Sequence, residues 1–473
     1  MRISFINITY SIKDLSKHDL LHPRHYLAPL DIGYCAALLE MKGHETVLFD
    51  TALGSISYKD IIDKFAQSSS KEIVVLKPNE MTYALTLELA NDLKKARGAG
   101  IFIFLIGPAV SASFNYFMFK DSPIDLCIVG EPEYTLLEVV EKINNNQVLE
   151  RIKGTVWFKN DTLEIEQGRD YITDLDSLPF PKYDFFIDKG YMFYYPVRMM
   201  RRKKLGLMLS SRGCPHPCVF CSPLGRVSYG KSYRARSIQN VIDEIKILNN
   251  LGVNLIYFLD DLFTYDKDRI EGLCYRIKKD KLNIKWAAQC RADDLNEGLL
   301  RLMRNAGCLC LNLGIESGSE RILNLLHKNL DLGNVEKMAR YCKKIGINTV
   351  GNFIFGVPGE KDSDRDMTIK FAKKVNFNIV EALLFTPYPG SYVFEKYGCP
   401  EKIDQYCRYE KLACGKDLED DGKIKEFRKY FYRTYYIRTG FLLNNTPLLI
   451  SSVILNGKDE WKLLKKIIRY IIF

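Results

Sequence analysis

The chain has 473 residues, of which 47% are hydrophobic and 27% charged, with a formal net charge of +10. This is the composition of a globular protein, and the length exceeds one ordinary core, so we expect two or three domains. The charge permits an anionic partner or a membrane surface but requires neither.

The cysteines and the N-terminus argue against a secreted protein. There are 13 cysteines, an odd number, and residues 1–14 lack a basic segment followed by an apolar run. Both features favour a reducing cytoplasm over a secreted disulfide framework. The most apolar stretch, residues 440–455, is broken by asparagines, a proline and serines, so it falls short of the roughly 18 residues of a membrane span. We expect a soluble or peripheral protein.

Residues 1–150 alternate between strand and helix patterns, which predicts a doubly wound parallel sheet. Ligands of such sheets bind beyond the carboxyl ends of the strands, where this chain has Gly107, Gly130 and Glu131. The predicted elements are strands at 2–8, 45–50, 73–76, 101–107 and 125–130, and helices at 30–42, at 81–96 and from residue 132.

Residues 151–195 are predicted to form a hairpin, turning at Asn160 and Asp161, and then an extended Pro-rich linker. A second alternating series occupies residues 196–400 and predicts six βα units, a partial parallel barrel rather than the full eight. Residues 401–473 are predicted to be helical, and the last helix, 461–473, is basic and amphipathic. The predicted strands of the barrel are 205–209, 254–259, 284–289, 310–315, 349–355 and 379–385.

The most informative segment carries three cysteines within eight residues, Cys214, Cys218 and Cys221. It follows a predicted strand, so the thiols should lie at the carboxyl-terminal mouth of the barrel, where catalytic loops collect. Three thiolates can hold three irons of a cubane and leave the fourth iron open, whereas four cysteines close a cluster. A zinc site, which prefers paired spacing and a fourth ligand, and a grouping of buried cysteines are the alternatives.

This segment resembles the signature loop of radical S-adenosylmethionine (SAM) enzymes. The resemblance lies in the Cys-x₃-Cys-x₂-Cys spacing and in Phe220, directly before Cys221, and it continues through most of residues 200–395. It implies a [4Fe–4S] cluster whose open iron is chelated by SAM, and an electron transfer that breaks the S–C5′ bond to give a 5′-deoxyadenosyl radical. It also implies that Phe220 lies near the adenine. A barrel that excludes water would protect such a radical.

The same resemblance assigns further residues at the ends of the predicted strands to SAM. Asp260 and Asp261 would receive its amino group, although one of them could instead cap a helix. Gln289 and Arg291 would contact the ribose and the carboxylate, with an ion pair to a neighbouring aspartate as the alternative for Arg291. Glu316 would point into the mouth of the barrel.

Residues 1–150 resemble the cobalamin-binding module that precedes the barrel in one branch of this superfamily. The similarity covers residues 29–33, 43–45, 107–108 and 130–133, and it implies that Gly107, Gly130 and Glu131 contact the cofactor. A nucleotide-binding or response-regulator-like domain is the alternative. The Asp-x-His-x-x-Gly string that binds cobalt is absent, and His18, His22 and His25 do not have its spacing. The resemblance therefore implies base-off cobalamin without a protein histidine.

A related branch, the methylthiotransferases, carries three more cluster cysteines in its first domain. Here only Cys35 and Cys127 precede residue 200, so that interpretation fails.

Taken together, these patterns predict a cobalamin-dependent radical SAM enzyme that methylates an unactivated carbon. Radical cyclisation or rearrangement and a non-catalytic cobalamin sensor are the alternatives. We expect a small-molecule or lipid-like substrate, an electron donor such as flavodoxin or ferredoxin, and no nucleic acid. The basic helix at 461–473 could contact the inner face of a membrane or pack on its own domain.

Overall fold

A computed structural model describes residues 1–9, 27–68, 71–159, 161–191, 204–221, 227–398 and 421–438. It contains a seven-stranded sheet followed by a six-stranded parallel sheet, both flanked by helices. The expected α/β class, with a doubly wound sheet before a partial barrel, is confirmed. The three histidines near residue 20 and the predicted helix 461–473 lie outside the described residues.

The first sheet has the strand order β2-β1-β3-β4-β5-β6-β7, and β1 to β5 are parallel. Strand β3, the middle one of the five parallel strands, is buried along nearly its whole length, as expected for a parallel strand covered by helices on both faces. The strands are β1 Arg2–Asn7, β2 Glu45–Asp50, β3 Glu72–Lys77, β4 Ile101–Leu105, β5 Leu126–Ile128, β6 Thr155–Lys159 and β7 Thr162–Ile165. The helices are α1 Leu30–Glu40, α2 Tyr58–Ala66, α3 Tyr83–Arg97, α4 Pro108–Ser113 and α5 Pro132–Asn144.

The hairpin β6–β7 turns at Asp161, whose φ of 62° is left-handed, a conformation that aspartate tolerates in turns. Strand β6 pairs antiparallel with β5, so the hairpin extends the first sheet beyond residue 150.

The second sheet has the order β15-β14-β13-β12-β11-β8, all parallel, which gives the six strands of the predicted partial barrel. A short antiparallel ribbon, β9 with β10, lies beside it. The strands are β8 Leu205–Met208, β9 Ser211–Arg212, β10 Arg234–Ala235, β11 Leu255–Phe258, β12 Lys285–Cys290, β13 Cys308–Glu316, β14 Asn348–Phe355 and β15 Ile379–Leu384. The helices are α6 Ile238–Asn250, α7 Lys267–Lys279, α8 Glu297–Asn305, α9 Glu320–Leu325, α10 Leu332–Ile345, α11 Asp362–Val375, α12 Tyr392–Tyr397 and α13 Asp421–Tyr436.

Helix α13 covers the edge strand β15 with tyrosines. The Tyr432 hydroxyl accepts a hydrogen bond from the Ala382 backbone N–H at 2.9 Å, and the Tyr436 hydroxyl accepts one from Val380 at 3.0 Å. The open edge of a sheet presents unpaired backbone groups that invite association, and these side chains satisfy them.

The two sheets meet at their carboxyl-terminal edges. A Cβ added to Gly390, which follows β15, would lie 2.9 Å from the Cβ of Ala112 in α4, so these backbones touch. Arg212 of β9 forms an ion pair at 2.8 Å with Glu131, which follows β5. The ligand-binding edges of both sheets therefore face the same region. In the parts of the chain that are described, no helix is both long and apolar enough to cross a bilayer.

Candidate cluster and cofactor site

The cysteine loop begins directly after β9, at a glycine where any side chain would collide with the neighbouring backbone. Gly213 has a φ of 86°, and a Cβ there would lie 2.2 Å from the Ser232 carbonyl oxygen. Three backbone hydrogen bonds connect the loop to its surroundings: Cys214 N–H donates to Gly230 at 3.3 Å, Val219 N–H donates to Leu326 at 3.2 Å, and the Val219 carbonyl accepts from Val393 N–H at 3.2 Å. The loop is thereby held against the β9–β10 ribbon on one side and the end of α9 on the other.

Cys214, Cys218 and Cys221 are free thiols of intermediate burial. The pKa of Cys221 is raised to about 12, mainly by burial and to a smaller extent by Asp261 and the other two cysteines. Thiolates, not thiols, bind metal, so loading of the cluster would release protons from these cysteines.

This donor set fits an iron–sulfur cluster, because soft thiolates on one loop are the ligands that iron–sulfur clusters use. Within the described ranges, no three His, Cys, Asp or Glu side chains are arranged to hold a metal ion. A four-iron cluster spaces its thiolates more widely than one ion does.

Asp260 and Asp261, which follow β11, have different surroundings. Asp260 is fully buried, and its carboxylate accepts hydrogen bonds from the Ser210 N–H at 3.0 Å, the Ser210 hydroxyl at 2.7 Å and the Ser211 hydroxyl. These bonds fix the chain just before the cysteine loop. Burial raises the pKa of Asp261 to about 7, the Asp260 charge adds to the shift, and Asp261 in turn raises the pKa of Cys214. The structure thus brings Asp261 within electrostatic range of the thiols.

Gln289 and Arg291 lie at the end of β12. The Gln289 side chain is exposed although its neighbours on the strand are buried, so it is available to a ligand. Arg291 is buried, and its Nη2 donates to the carbonyls of Lys328 at 2.7 Å and Asn329 at 3.1 Å and to Asp293 at 3.1 Å. Its Nε is buried without a partner among the described residues. The Nη2 of the guanidinium therefore holds the backbone at residues 328 and 329, while the Nε can still donate a hydrogen bond to a ligand.

Glu316 ends β13 in a left-handed conformation, with a φ of 68° next to a register shift between β13 and β14. Its buried carboxylate accepts a hydrogen bond from Lys328 Nζ at 2.8 Å. The same ammonium lies 5.9 Å from the centre of the Phe220 ring, so Phe220, Glu316 and Lys328 form one group beside the cysteines.

In the first domain, Gly107 and Gly130 have left-handed φ values of 108° and 87°. Nothing lies within 4 Å of a Cβ built on Gly130, so its backbone faces open space that a ligand could fill. Glu131, in contrast, does not face open space. It is buried and forms ion pairs with Arg212 at 2.8 Å and with Arg234 at 3.0 Å. Its carboxylate joins the two domains.

Lys328 and Arg212 carry no assignment from the sequence, and Glu133 lies in the matched range 130–133 without a role of its own. Arg212 Nη2 lies 2.6 Å from Glu133, which is fully buried, and burial raises the pKa of that carboxyl. The sequence signal that could have identified Arg212 is its position directly before Gly213, at the start of the cysteine loop. Nothing in the local pattern distinguishes Lys328 from a surface lysine.

The profile of the radical SAM superfamily matches residues 208–372. An uncharacterized methyltransferase of Pyrococcus horikoshii is 31% identical over 369 residues, covering 78% of each chain. The chain belongs to the radical SAM superfamily, and the expectation of an enzyme that uses SAM and a [4Fe–4S] cluster is confirmed.

Two more distant relatives are named for different reactions. A cytidylyl-2-hydroxyethylphosphonate methyltransferase of Streptomyces wedmorensis is 26% identical over 436 residues, covering 80% of this chain and 78% of the relative. An anaerobic magnesium-protoporphyrin IX monomethyl ester cyclase of Rubrivivax gelatinosus is 24% identical over 428 residues, covering 88% and 74%.

Two solved structures share the fold. The radical SAM methyltransferase TsrM from Kitasatospora setae, solved with cobalamin and a [4Fe–4S] cluster, superposes with a TM-score of 0.64 at 18% identity, covering 83% of this chain and 73% of TsrM. The cobalamin-dependent radical enzyme OxsB, solved with aqua-cobalamin and SAM, gives a TM-score of 0.65 at 18% identity, covering 80% and 53%.

Proposed function

We propose that this enzyme uses SAM and cobalamin to transfer a methyl group to an unactivated carbon. The observation that carries the proposal is the meeting of the two carboxyl-terminal edges, which brings a cobalamin-type domain against the mouth of a radical SAM barrel. The names of two relatives as methyltransferases and the fold shared with TsrM support it.

In this proposal Cys214, Cys218 and Cys221 hold the cluster, and Phe220 lines the adenine site. When bound, the cluster supplies the electron that cleaves SAM, and cobalamin supplies the methyl group that is transferred. The chain contributes binding and orientation. Gln289 has an exposed amide for the ribose, and Arg291 has a buried, unpaired Nε for the SAM carboxylate.

For the SAM ammonium we favour Asp261 over Asp260. The Asp260 oxygens are both occupied by the serines before the cysteine loop. Asp261 has no hydrogen-bond partner among the described residues. Burial raises its pKa to about 7, and an ammonium beside it would favour its charged form.

Cobalamin in this proposal lies between the two edges, over Gly107 and Gly130. Open space beside Gly130 allows a large ring to approach its backbone, whereas at Gly107 the Lys77 side chain lies 3.4 Å from a Cβ built there. In this proposal Glu131 does not contact cobalamin; its ion pairs with Arg212 and Arg234 fix the first domain against the barrel.

Anaerobic reconstitution with iron, sulfide and hydroxocobalamin tests this proposal. We expect about four irons per chain, from the cluster type, together with a base-off cobalamin spectrum. Cys218→Ala should lose the iron bands, while Cys274→Ala, a buried cysteine on α7, should keep them. Iron without cobalamin would contradict methyl transfer, and absence of both would contradict the whole proposal.

The similarity to the anaerobic cyclase favours a second candidate, in which the radical closes or rearranges a ring. Product mass with SAM labelled in its methyl group distinguishes the two reactions, because only methyl transfer carries the label into product. A cobalamin sensor is the third alternative. If reduced protein releases no 5′-deoxyadenosine from SAM, the sensor is favoured.

We further propose that the enzyme acts in the cytoplasm on a small-molecule or lipid-like substrate and receives electrons from a flavodoxin or ferredoxin. All cysteines of the described residues are free, in keeping with a reducing compartment. Fractionation of cells with an antibody to the chain, with and without a salt wash of the membranes, tests this location.

A further inference from the structure

The segment 326–329, between α9 and α10, is bent sharply against the cysteine loop. His327 and Asn329 are left-handed, with φ of 51° and 43°, although neither is glycine. Such conformations cost energy and persist where surrounding contacts enforce them. The Leu326 carbonyl accepts a hydrogen bond from the Val219 N–H. The carbonyls of residues 328 and 329 accept hydrogen bonds from Arg291 Nη2 at 2.7 and 3.1 Å.

The result of this bend is a buried ammonium beside the cluster loop. Lys328 is only 8% exposed, and lysine is almost never buried unless it is paired. Its Nζ lies 2.8 Å from the Glu316 carboxylate and 5.9 Å from the Phe220 ring centre, within the range of a cation–π contact. Phe220 directly precedes Cys221 in the chain, so the ammonium is near the last cluster thiol.

The ion pair is oriented. The Lys328 ammonium lies 5.9 Å from the centre of the Phe220 ring, directly before Cys221 in the chain, whereas Glu316 is the last residue of β13. The positive end of the pair therefore faces the cysteine loop, and the negative end faces β13. Nearby charge is one of the factors that set the reduction potential of an iron–sulfur cluster.

We propose that the Lys328–Glu316 pair sets the reduction potential of the cluster, with Lys328 stabilising the reduced, more negative form. Lys328 does not bind the cluster; its positive charge acts electrostatically on the cluster held by the three cysteines. The inference rests on the cluster assigned above. The step concerned is the uptake of one electron by the oxidised cluster from a low-potential one-electron donor.

The test is an anaerobic redox titration of reconstituted full-length protein, without SAM, followed by electron paramagnetic resonance. Lys328→Met should shift the potential downward, by about a tenfold change in the ratio of reduced to oxidised cluster, or about 59 mV for one electron. Glu316→Gln leaves the ammonium without its counter-charge and should shift the potential upward. Lys328→Arg should stay near wild type, as should Lys337→Met, which removes an exposed lysine of α10.

Opposite shifts in the two variants are the result that a merely structural role would not produce. Unchanged potentials, or shifts in the same direction, with iron content intact would overturn the inference. If Lys328→Met fails to hold iron, the direction of the Glu316→Gln shift decides alone. Absence of iron in the wild-type protein would instead contradict the proposed function, so the two failures are distinguishable.

Discussion

At the scale of single residues, the site is built on buried charges that organise the loop rather than contact a ligand. Asp260, a predicted SAM contact, accepts three hydrogen bonds, and all of them come from Ser210 and Ser211. A buried carboxylate that accepts several hydrogen bonds holds its donors in one geometry. The cysteine loop therefore starts from a fixed point.

Replacing this carboxylate should cost both stability and cluster loading. We expect Asp260→Asn to lower the free energy of unfolding by about 2–3 kcal/mol, since an amide cannot accept on both sides and leaves a buried donor unpaired. Urea denaturation and iron counting measure the two effects. Asp268→Asn, an exposed aspartate at the start of α7, is the control. A variant with wild-type stability and iron would show that the serines do not depend on Asp260.

The cysteine ligands can be predicted from the sequence alone, because the spacing of thiols on one loop is a local property, and their assignment stays a prediction. The sequence predicts the surroundings of Glu131 and Glu316 poorly, because their partners are distant in the chain. Arg212 lies 81 residues from Glu131, and Lys328 follows Glu316 across a complete helix and a bent loop. Such pairings are decided by tertiary packing, which residue type and periodicity do not encode.

At the scale of elements, the loop after β13 is fastened to the start of α11. Asp364 accepts a hydrogen bond from the Ser319 hydroxyl at 2.6 Å and forms an ion pair with Arg321. Burial raises the pKa of Asp364, but these partners outweigh it and lower the pKa to about 2. The carboxylate thus holds two successive βα units together.

Stability should therefore depend on pH through Asp364. Because its pKa is lower in the folded state than in the unfolded chain, its contribution is present above about pH 4 and is lost as the pH falls towards 2. We expect Asp364→Asn to cost about 1–2 kcal/mol at pH 7 and progressively less below pH 4. Urea unfolding from pH 3 to 7 measures this, with the exposed Asp366→Asn on the same helix as control. A cost independent of pH would contradict the ionic role.

The tyrosines of α13 offer a second prediction at this scale. Tyr432→Phe keeps the ring but removes the acceptor for the Ala382 N–H, so we expect a loss of about 1–2 kcal/mol in the free energy of unfolding. Tyr430→Phe, on the same helix but 54% exposed, should change little. Equal effects of the two substitutions would mean that the hydrogen bond to β15 contributes nothing.

Element prediction from sequence succeeded where burial is periodic and failed where elements are short. The six barrel strands and the parallel strands of the first sheet were placed, because apolar runs between helices mark them. The ribbon β9–β10 has two residues per strand and no period to detect. Helix α2 was not predicted, although Ser57 and Asp60 form the capping box that marks its start.

At the scale of the whole molecule, the two domains are joined by a buried ionic network. The Arg212 guanidinium pairs with Glu131 and Glu133 and lies between the rings of Tyr34 and Tyr229, 5.1 and 4.9 Å away. Its position two residues before Cys214 connects the first domain directly to the cluster loop. The relative placement of the domains is thus tied to the placement of the thiols.

Removing this arginine should loosen the loop as well as the interface. We expect Arg212→Met to cost about 3–5 kcal/mol, the usual effect of leaving a buried charge without its partner. Hydrogen exchange of the amides in residues 210–221 should become faster. Arg340→Met, which removes an exposed ion pair on α10, should leave that exchange unchanged. Faster exchange in both variants, or in neither, would contradict a specific connection.

The tyrosine-covered edge of β15 also bears on biosynthesis. The cover, α13, follows β15 in the chain after a long intervening segment, so during synthesis the last barrel strand leaves the ribosome well before the helix that caps it. Until then the strand would expose its Val380 and Ala382 amides to other nascent chains. A chain that stops before residue 421 should aggregate on translation, whereas supplying residues 421–473 as a separate peptide should reduce that aggregation.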